Sequence, residues 1–577
     1  MDRRVLRLPQ TAPRAIPLTV GVVGHRDLAD VPKLTDSVRE FLSDLRRRYP
    51  DTPIQILTAL AEGADQMVAR VALELRMNFV AVLPMARDLY DQDYANDARR
   101  ELDRLLGSAL DWFELPALSG ATREQIARPG IVRNQHYAQC GAFIVRRSQI
   151  LLALWDGLPT QGEGGTAEIV AFRLRGVPAP YIPKPGPLDL PDTAPVYQIV
   201  SRRLSSDPNA PPDAEVGTVR ILLPDRDSIE ARQSRELAYY SELGAKINDF
   251  NRDAARLGAP DIFARSVHDL IGADASALGT GLERIAGAYA AADTVAMHFQ
   301  KRTASVTAML FALGASMVVT FALFSSLWEA DWPLLALYLL LFAGVATVHR
   351  LFHARESYNS FLDARALAEA LRVQFFWRAI GSWEGAAHHY LRHQGEELRW
   401  IRDALRSLEL VAPAKPDMSD QLKWARAWIK GQSSYFTTSA DARNRRLHRI
   451  QQFALILYAA GLAIVLLDVI ANAGGLLASH GLVAGVALML MGLAPAFAAL
   501  GTGYAEFMSF EEDVKRHERM KSLYALASAR LELIDLAQAP TAEQLHELVH
   551  DLGSEALREN ADWLLLHRRH QPKPSFT

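Results

Sequence analysis

The chain has 577 residues, long enough for two or three domains. Its 63 lysines and arginines against 66 aspartates and glutamates leave a net charge of -3, which excludes a global basic field for nucleic acid and an acidic tail. A single cysteine, Cys140, excludes an internal disulfide and a cysteine-based zinc site and fits a reducing compartment.

The first stretch, MDRRVLRLPQTAPRAIP, carries basic residues but no apolar segment, so residues 1–17 read as a disordered lead-in and not as a signal peptide. Strand–turn–helix passages follow. LTVGVVGHRDL (Leu18 to Leu28) is a β-branched run ending in Gly-His-Arg, and PIQILTALAEGADQMVARVALEL repeats the pattern. NFVAVLP reads as a third strand, DWFELPAL as a fourth, and QILLALWDG (Gln149 to Gly157) as a central buried one. Strands alternating with helices predict a parallel, doubly wound sheet, in which ligands sit outside the carboxyl ends of the strands.

The polar groups expected at those ends are candidate ligand contacts. Gly21 and Gly24 permit close backbone approach, with His25 and Arg26 available to a phosphate. Glu62, Gly63 and Asp65 open the helix after strand two, and Arg133 and Tyr137 are expected on the same edge. The stretch GEGGTAEIV places Gly164, Gly165, Thr166 and Glu168 at a helix start, where free backbone N–H groups and the helix dipole favour an anion. The proline-rich run 178–212 holds one edge strand, PVYQIV, and then a loop to EVGTVRILLPD, with a domain boundary near 225. Residues 226–300 read as a helical transmitter.

The C-terminal half is dominated by long apolar blocks. Thr303 to Trp328 carries no charge, and after Glu329-Ala330-Asp331 a second run extends from Trp332 to Val348. Phe453 to Ser479 holds one charge, Asp468, and Gly481 to Ala505 none. A bilayer core needs about 20 apolar helical residues, so these predict four transmembrane helices in two hairpins. Lys301, Arg302, Arg350 and Arg355 bracket the first pair; Arg443, Arg445, Arg446, Arg449, Lys515 and Arg516 bracket the second. The tips hold no lysine or arginine, so the positive-inside rule puts them outside and both termini in the cytoplasm. Each pair is entered by a basic stretch and leaves into an amphipathic helix, so a helix–hairpin–helix unit recurs around 285–410 and 435–540. The units are 301–412 and 413–577. Asp468 suits a pore lining or the interface. Gly481 and Gly485 form a GxxxG for close packing, and Pro495 is a kink site. His389 and His393 share a helix face, but with no third ligand in sight no metal is expected.

GVVGHRD, ALAEGADQMVARVAL, the Arg133–Tyr137 segment and LLALWDG…GEGGTAEIV together resemble the SLOG superfamily of Rossmann-like domains over about 160 residues, Leu18 to roughly Val177. That family includes nucleotide sensors and phosphoribohydrolases, and the resemblance implies that Gly24, His25, Arg26, Glu62, Gly63, Asp65, Gly164, Gly165, Thr166 and Glu168 line a nucleotide pocket. The hydrolases carry PGGxGTxxE. Here the proline is absent and Ile169 holds the glutamate's place, with Glu168 one residue early, about 100° around the helix. A shifted carboxylate leaves hydrogen-bond reach, so binding without turnover is expected and no catalytic residue is assigned; the alternative is a hydrolase using Glu168, Arg133 and Glu62. The C-terminal layout, with the basic and aromatic pattern around Tyr358–Trp377, resembles the SLATT family of membrane modules found beside nucleotide-sensing domains in bacterial conflict systems.

The expectation is thus an α/β doubly wound, Rossmann-like domain (18–225) joined to an all-α membrane domain with long cytosolic helices, in the inner membrane. By resemblance it is an antiphage effector that permeabilises the membrane on binding a nucleotide second messenger of cyclic-oligonucleotide or ADP-ribose type. A homo-oligomer and the lipid bilayer are its expected partners; no nucleic acid and no cofactor are. The alternatives are a membrane-tethered N-glycosidase and a non-catalytic scaffold.

Overall fold

The structure, a computed structural model, describes residues 14–159, 162–182, 192–205, 214–224, 229–271, 278–328, 331–351, 354–390, 398–410, 416–473, 482–536 and 541–569. Side chains are described for all of these except 229–240, 351, 354–357, 472 and 569. The lead-in up to residue 13, the boundary near 225, His393 and Gly481 lie outside the described residues. The chain divides into two compact units, the first comprising Met1–Leu270, Asp274–Ala292 and Leu367–Pro416, the second the remainder.

The first unit is built on a sheet. In chain order its elements are β1 (Leu18–Gly24), α1 (Val31–Arg48), β2 (Ile54–Thr58), α2 (Ala64–Glu74), β3 (Asn78–Leu83), α3 (Arg87–Tyr90), α4 (Asn96–Ser108), β4 (Asp111–Glu114), α5 (Arg123–Ala127), α6 (Ile131–Arg147), β5 (Ile150–Trp155), α7 (Thr166–Arg175), β6 (Val196–Val200), β7 (Val219–Leu222), α8 (Ile229–Leu257) and α9 (Pro260–Ile271). The start of α10 (Thr280–Ser326) also belongs here. So do the end of α12 (Ala354–Ala379), α13 (Ala386–His389) and α14 (Arg399–Leu408).

The strand order is β4-β3-β2-β1-β5-β6-β7, with every pairing parallel except β6 with β7. The central strands β1, β2 and β5 are apolar on both faces and buried along most of their length, as a sheet covered by helices on both sides requires. PVYQIV, expected as an edge strand, is β6 and pairs inside the sheet; the edge on that side is β7, formed by TVRIL. β7 is short and alternates exposed with half-buried residues, the pattern of a strand paired on one side only.

The segment 367–410 is anchored to the strand starts. Gln149, just before β5, donates through Nε2 to the Asp403 carbonyl (2.7 Å) and accepts from Ser407 Oγ (3.0 Å) and from the Thr19 amide (2.7 Å). One buried amide thereby ties α14 to two central strands. At the other side of the strand starts, Arg284 on α10 donates to Gln55 Oε1 on β2 at 2.6 Å, and both residues are buried.

The second unit contains the rest of α10 and α12, α11 (Trp332–Leu351), α15 (Met418–Ala473), α16 (Leu482–Phe507), α17 (Phe510–Asp535) and α18 (Ala542–Arg569). α15 packs along α16 and α17. Phe436 stacks on Tyr524 with centroids 5.6 Å apart, buried Trp428 meets the same tyrosine, and Arg443 pairs with Asp513. Phe311 of α10 lies edge-on to Tyr504 of α16 at 5.2 Å.

Four helices, α10, α11, α15 and α16, are long and apolar enough to cross a membrane. Their large side chains point outward, with Leu340 68%, Leu455 69% and Leu482 80% exposed, which water would penalise and lipid would not. Thr303 lies on α10, Trp328 just beyond its end, Trp332 and Val348 on α11, and Phe453 and half-buried Asp468 on α15. Pro495 and Ala505 are in α16. Gly485 lets α16 approach the end of α10, since a Cβ there would lie 2.6 Å from the Ser326 carbonyl.

Candidate functional site at the carboxyl ends of the strands

From β1 and β5 the strand order runs outward in opposite directions, which opens a crevice at their carboxyl ends. The loops that close it come from the stretches read as ligand contacts. His25, the first residue past β1, is buried, and its Nε2 lies 3.1 Å from Asp156 Oδ1 at the end of β5. Arg203, past β6, completes the group, with Nε 3.1 Å from Asp156 Oδ2 and 3.3 Å from His25 Nε2. Burial lowers the pKa of His25 despite the opposing pull of Asp156, so the imidazole is neutral at neutral pH.

Arg26 differs from its neighbour. It is exposed, its guanidinium lies 5.4 Å from the centroid of the Tyr137 ring, and no carboxylate is within ion-pair distance among the described residues. A guanidinium held chiefly by tyrosines, with Asp93 and Asp65 acting only at longer range, is available to an anionic ligand.

Arg133 is already engaged. It is buried and donates to the carbonyls of Ile126 (2.8 Å) and Leu89 (2.9 Å) and to Asp93 Oδ1 (2.8 Å), so it pins the turn after β3 to α6. The Tyr137 hydroxyl donates to the other oxygen of Asp93, and burial first, then that carboxylate, pushes its pKa up to about 12. Tyr90 and Tyr94 donate to the Ala59 and Leu60 carbonyls at 3.2 and 3.0 Å. Asp93, Tyr90, Tyr94, Asp156 and Arg203 escaped the sequence reading. The run RDLYDQDY directly after a strand ending in proline was the available signal.

Asp65 shapes the loop from inside. Its Oδ2 accepts from Thr58 Oγ1 (3.0 Å) and the Ala59 amide (3.1 Å). Burial pushes its carboxyl up to about 6, while those bonds pull it down. Gly63 at φ 87° and ψ -115° brings this loop onto the backbone after β1, where the Ala64 amide donates to the His25 carbonyl. Glu62 is exposed at the rim. Gly24 faces Ala64, with only 2.4 Å for a Cβ. Gly21 is in mid-strand, where Ile144 and Ser148 of the helix above leave no room for a side chain; its role is packing, away from the crevice.

At the α7 start, Gly164 (φ 79°) lies against Tyr137 and Asn134. Gly165 is the N-cap, Thr166 opens the helix, and Glu168 in the first turn accepts from the Gly164 amide. The glutamate therefore occupies one of the free amides that an anion would use. His389 is 3.0 Å from Glu384 Oε2 and edge-on to Trp377. Cys140 is buried with its thiol pKa pushed up, so it is not a nucleophile.

A cavity of about 480 Å³ lies elsewhere in this unit, against Leu18, Phe41, Leu45, Tyr49, Ile150 and Leu243. Its lining comes mostly from α1, the starts of β1 and β5, β6, β7 and α8, and none of the expected ligand residues is among it. In the crevice the chemistry on offer is anion recognition by Arg26 beside polar backbone. Compared with known proteins, the chain matches no family model and no curated protein.

Proposed function

We propose that the chain is a membrane effector gated by a nucleotide-derived signal: a SLOG-like, Rossmann-like sensor whose crevice takes the ligand, and a SLATT-like module of two transmembrane hairpins. In this reading both termini are cytoplasmic, the ligand is a cyclic oligonucleotide or an ADP-ribose, and homo-oligomers permeabilise the inner membrane as an antiphage response. One observation carries it. α10 is a single helix of 47 residues that begins in the α/β unit and ends as a membrane-length apolar segment. A rearrangement of the sensor thus acts on a membrane helix with no loop between them, and a ligand that binds two states unequally would shift that helix.

Binding without turnover is the favoured reading because Glu168 caps its own helix and Arg133 is spent on carbonyls and Asp93. The test is dye release from proteoliposomes on addition of cyclic di- and trinucleotides and ADP-riboses. Release with one of these ligands, lost in a folded Arg26→Ala variant, is expected. Release of free base from a nucleoside monophosphate, with no leakage under any ligand, would replace this reading by the glycosidase.

A further inference from the structure

At the opposite end of the sheet, where α6 runs into β5, arginines of α6 and α14 crowd around a few carboxylates. Asp192 accepts from Arg406 and, at 3.3 Å, from Arg399; Asp403 pairs with the same two arginines at 3.2 and 3.7 Å. Glu409, fully buried, lies 3.6 Å from Arg147. These carboxylates are used up by those pairs. Arg146 and Arg402 are left without one.

Arg146, half-buried, has among the described residues only the imidazole of His388 as a polar partner, reached through Nη2. Burial, then Arg146 and Arg147, push the His388 pKa well down, so this partner is neutral. Arg402, also half-buried, has no hydrogen bond or ion pair among the described residues. Among the described residues, Nε of Arg406 and Nε of Arg147 have no hydrogen-bond partner, although both side chains are more than nine-tenths buried. Burial and neighbouring cations depress the pKa of Arg146 to about 9 and lower that of Arg402. Cations gathered at such a cost, with unfilled donors on their neighbours Arg147 and Arg406, call for a bound anion.

We propose that Arg146 and Arg402, backed by Arg406, form an anion site that takes a phosphate group. Arg146 and Arg402 both lie within electrostatic reach of Arg406 and Asp192, and two guanidinium groups without a carboxylate ion pair among the described residues match a phosphate dianion in charge and in bidentate geometry. The site lies at the strand starts, so it is separate from the crevice and from any ligand bound there. It abuts α14, which Gln149 ties to β1 and β5, so its occupancy would set how firmly the 399–408 helix holds the sheet.

The experiment is thermal unfolding of the full chain in neutral detergent, with pyrophosphate compared against sodium chloride at matched ionic strength. The midpoint of the wild type should rise by several degrees in millimolar pyrophosphate beyond the salt control. Arg146→Gln and Arg402→Gln should each weaken apparent affinity at least tenfold. Arg402→Lys, which keeps the charge and loses the fork, should retain part of the response. Because the Gln variants relieve cation repulsion, their ligand-free midpoints should not fall. Stabilisation by phosphatidylglycerol vesicles but not by pyrophosphate, lost in the same variants, would assign the phosphate to a lipid headgroup. No rise with either phosphate source, or an equal rise in the Gln variants, would overturn the proposal.

Discussion

A Cβ placed on Gly63 would lie 2.3 Å from the carbonyl oxygen of Arg26. The loop after β2 is thus seated directly on the backbone that presents Arg26, which has no ion pair among the described residues. The backbone of Gly63 (φ 87°, ψ -115°) is in a region reserved for glycine, so conformation and space both reject a side chain.

Gly63→Ala should therefore lower stability by about 3 kcal/mol or more, from backbone strain plus displacement of the 25–26 segment. Chemical denaturation followed by near-ultraviolet circular dichroism checks this. The surviving folded fraction should also lose nucleotide-induced thermal shift, since Arg26 moves with its carbonyl.

Glu168→Gln separates binding from catalysis. The glutamine still accepts from the Gly164 amide, and the loss of charge near the α7 start should cost less than about 1 kcal/mol. On the proposed reading, removing a negative charge beside an anion site should leave affinity for an activating nucleotide unchanged or tighter. Isothermal titration with the ligand that shifts the wild type reads this out; a drop in affinity of tenfold or more would show that the carboxylate contacts the ligand.

Asp65 gives the crevice a pH dependence whose sign is fixed by its burial. Its folded pKa, about 6, stands above the ordinary 3.8, so the folded state binds this proton more tightly than the unfolded chain. The resulting stabilisation is fully present below about pH 4 and is lost as the pH rises through about 6. Its size is on the order of 3 kcal/mol. Asp65→Asn carries no such term. The stability difference, wild type minus variant, should fall by that order between pH 4 and pH 7 in parallel denaturation curves.

Much of this architecture was legible from local patterning. The strands beginning at Leu18, Ile54, Asn78, Asp111 and Ile150 announce themselves as short apolar runs closed by glycine, proline or polar turns, and the four membrane-length helices by their lack of charge. Other features depend on contacts between distant segments, which leave no periodic trace. β7 is a strand because Val219–Leu222 finds β6, not because its own four residues insist. Arg133 looked free in sequence, and only the fold brings Asp93 and two carbonyls to it. The same holds for Arg146 and Arg402, where arginines come to outnumber carboxylates only when residues 399–409 return to the sheet.

Arg284 offers the sharpest test of transmission. It lies near the start of α10 and donates to Gln55 on β2, with its second terminal nitrogen buried and unpartnered. β2 is five residues long, and its far end, Thr58, holds Asp65 and so the loop seated on Arg26. A single rigid strand therefore joins the crevice to the helix that becomes the first membrane-length segment. Arg284→Met fills the same volume without the hydrogen bond. Nucleotide affinity measured by calorimetry should stay within about threefold of wild type, because no crevice residue changes, a difference of less than about 1 kcal/mol. Ligand-triggered dye release should fall at least tenfold, because the sheet no longer grips the helix. Equal loss of binding and release would instead make Arg284 a general stabiliser of the unit, and unchanged release would remove β2 from the route.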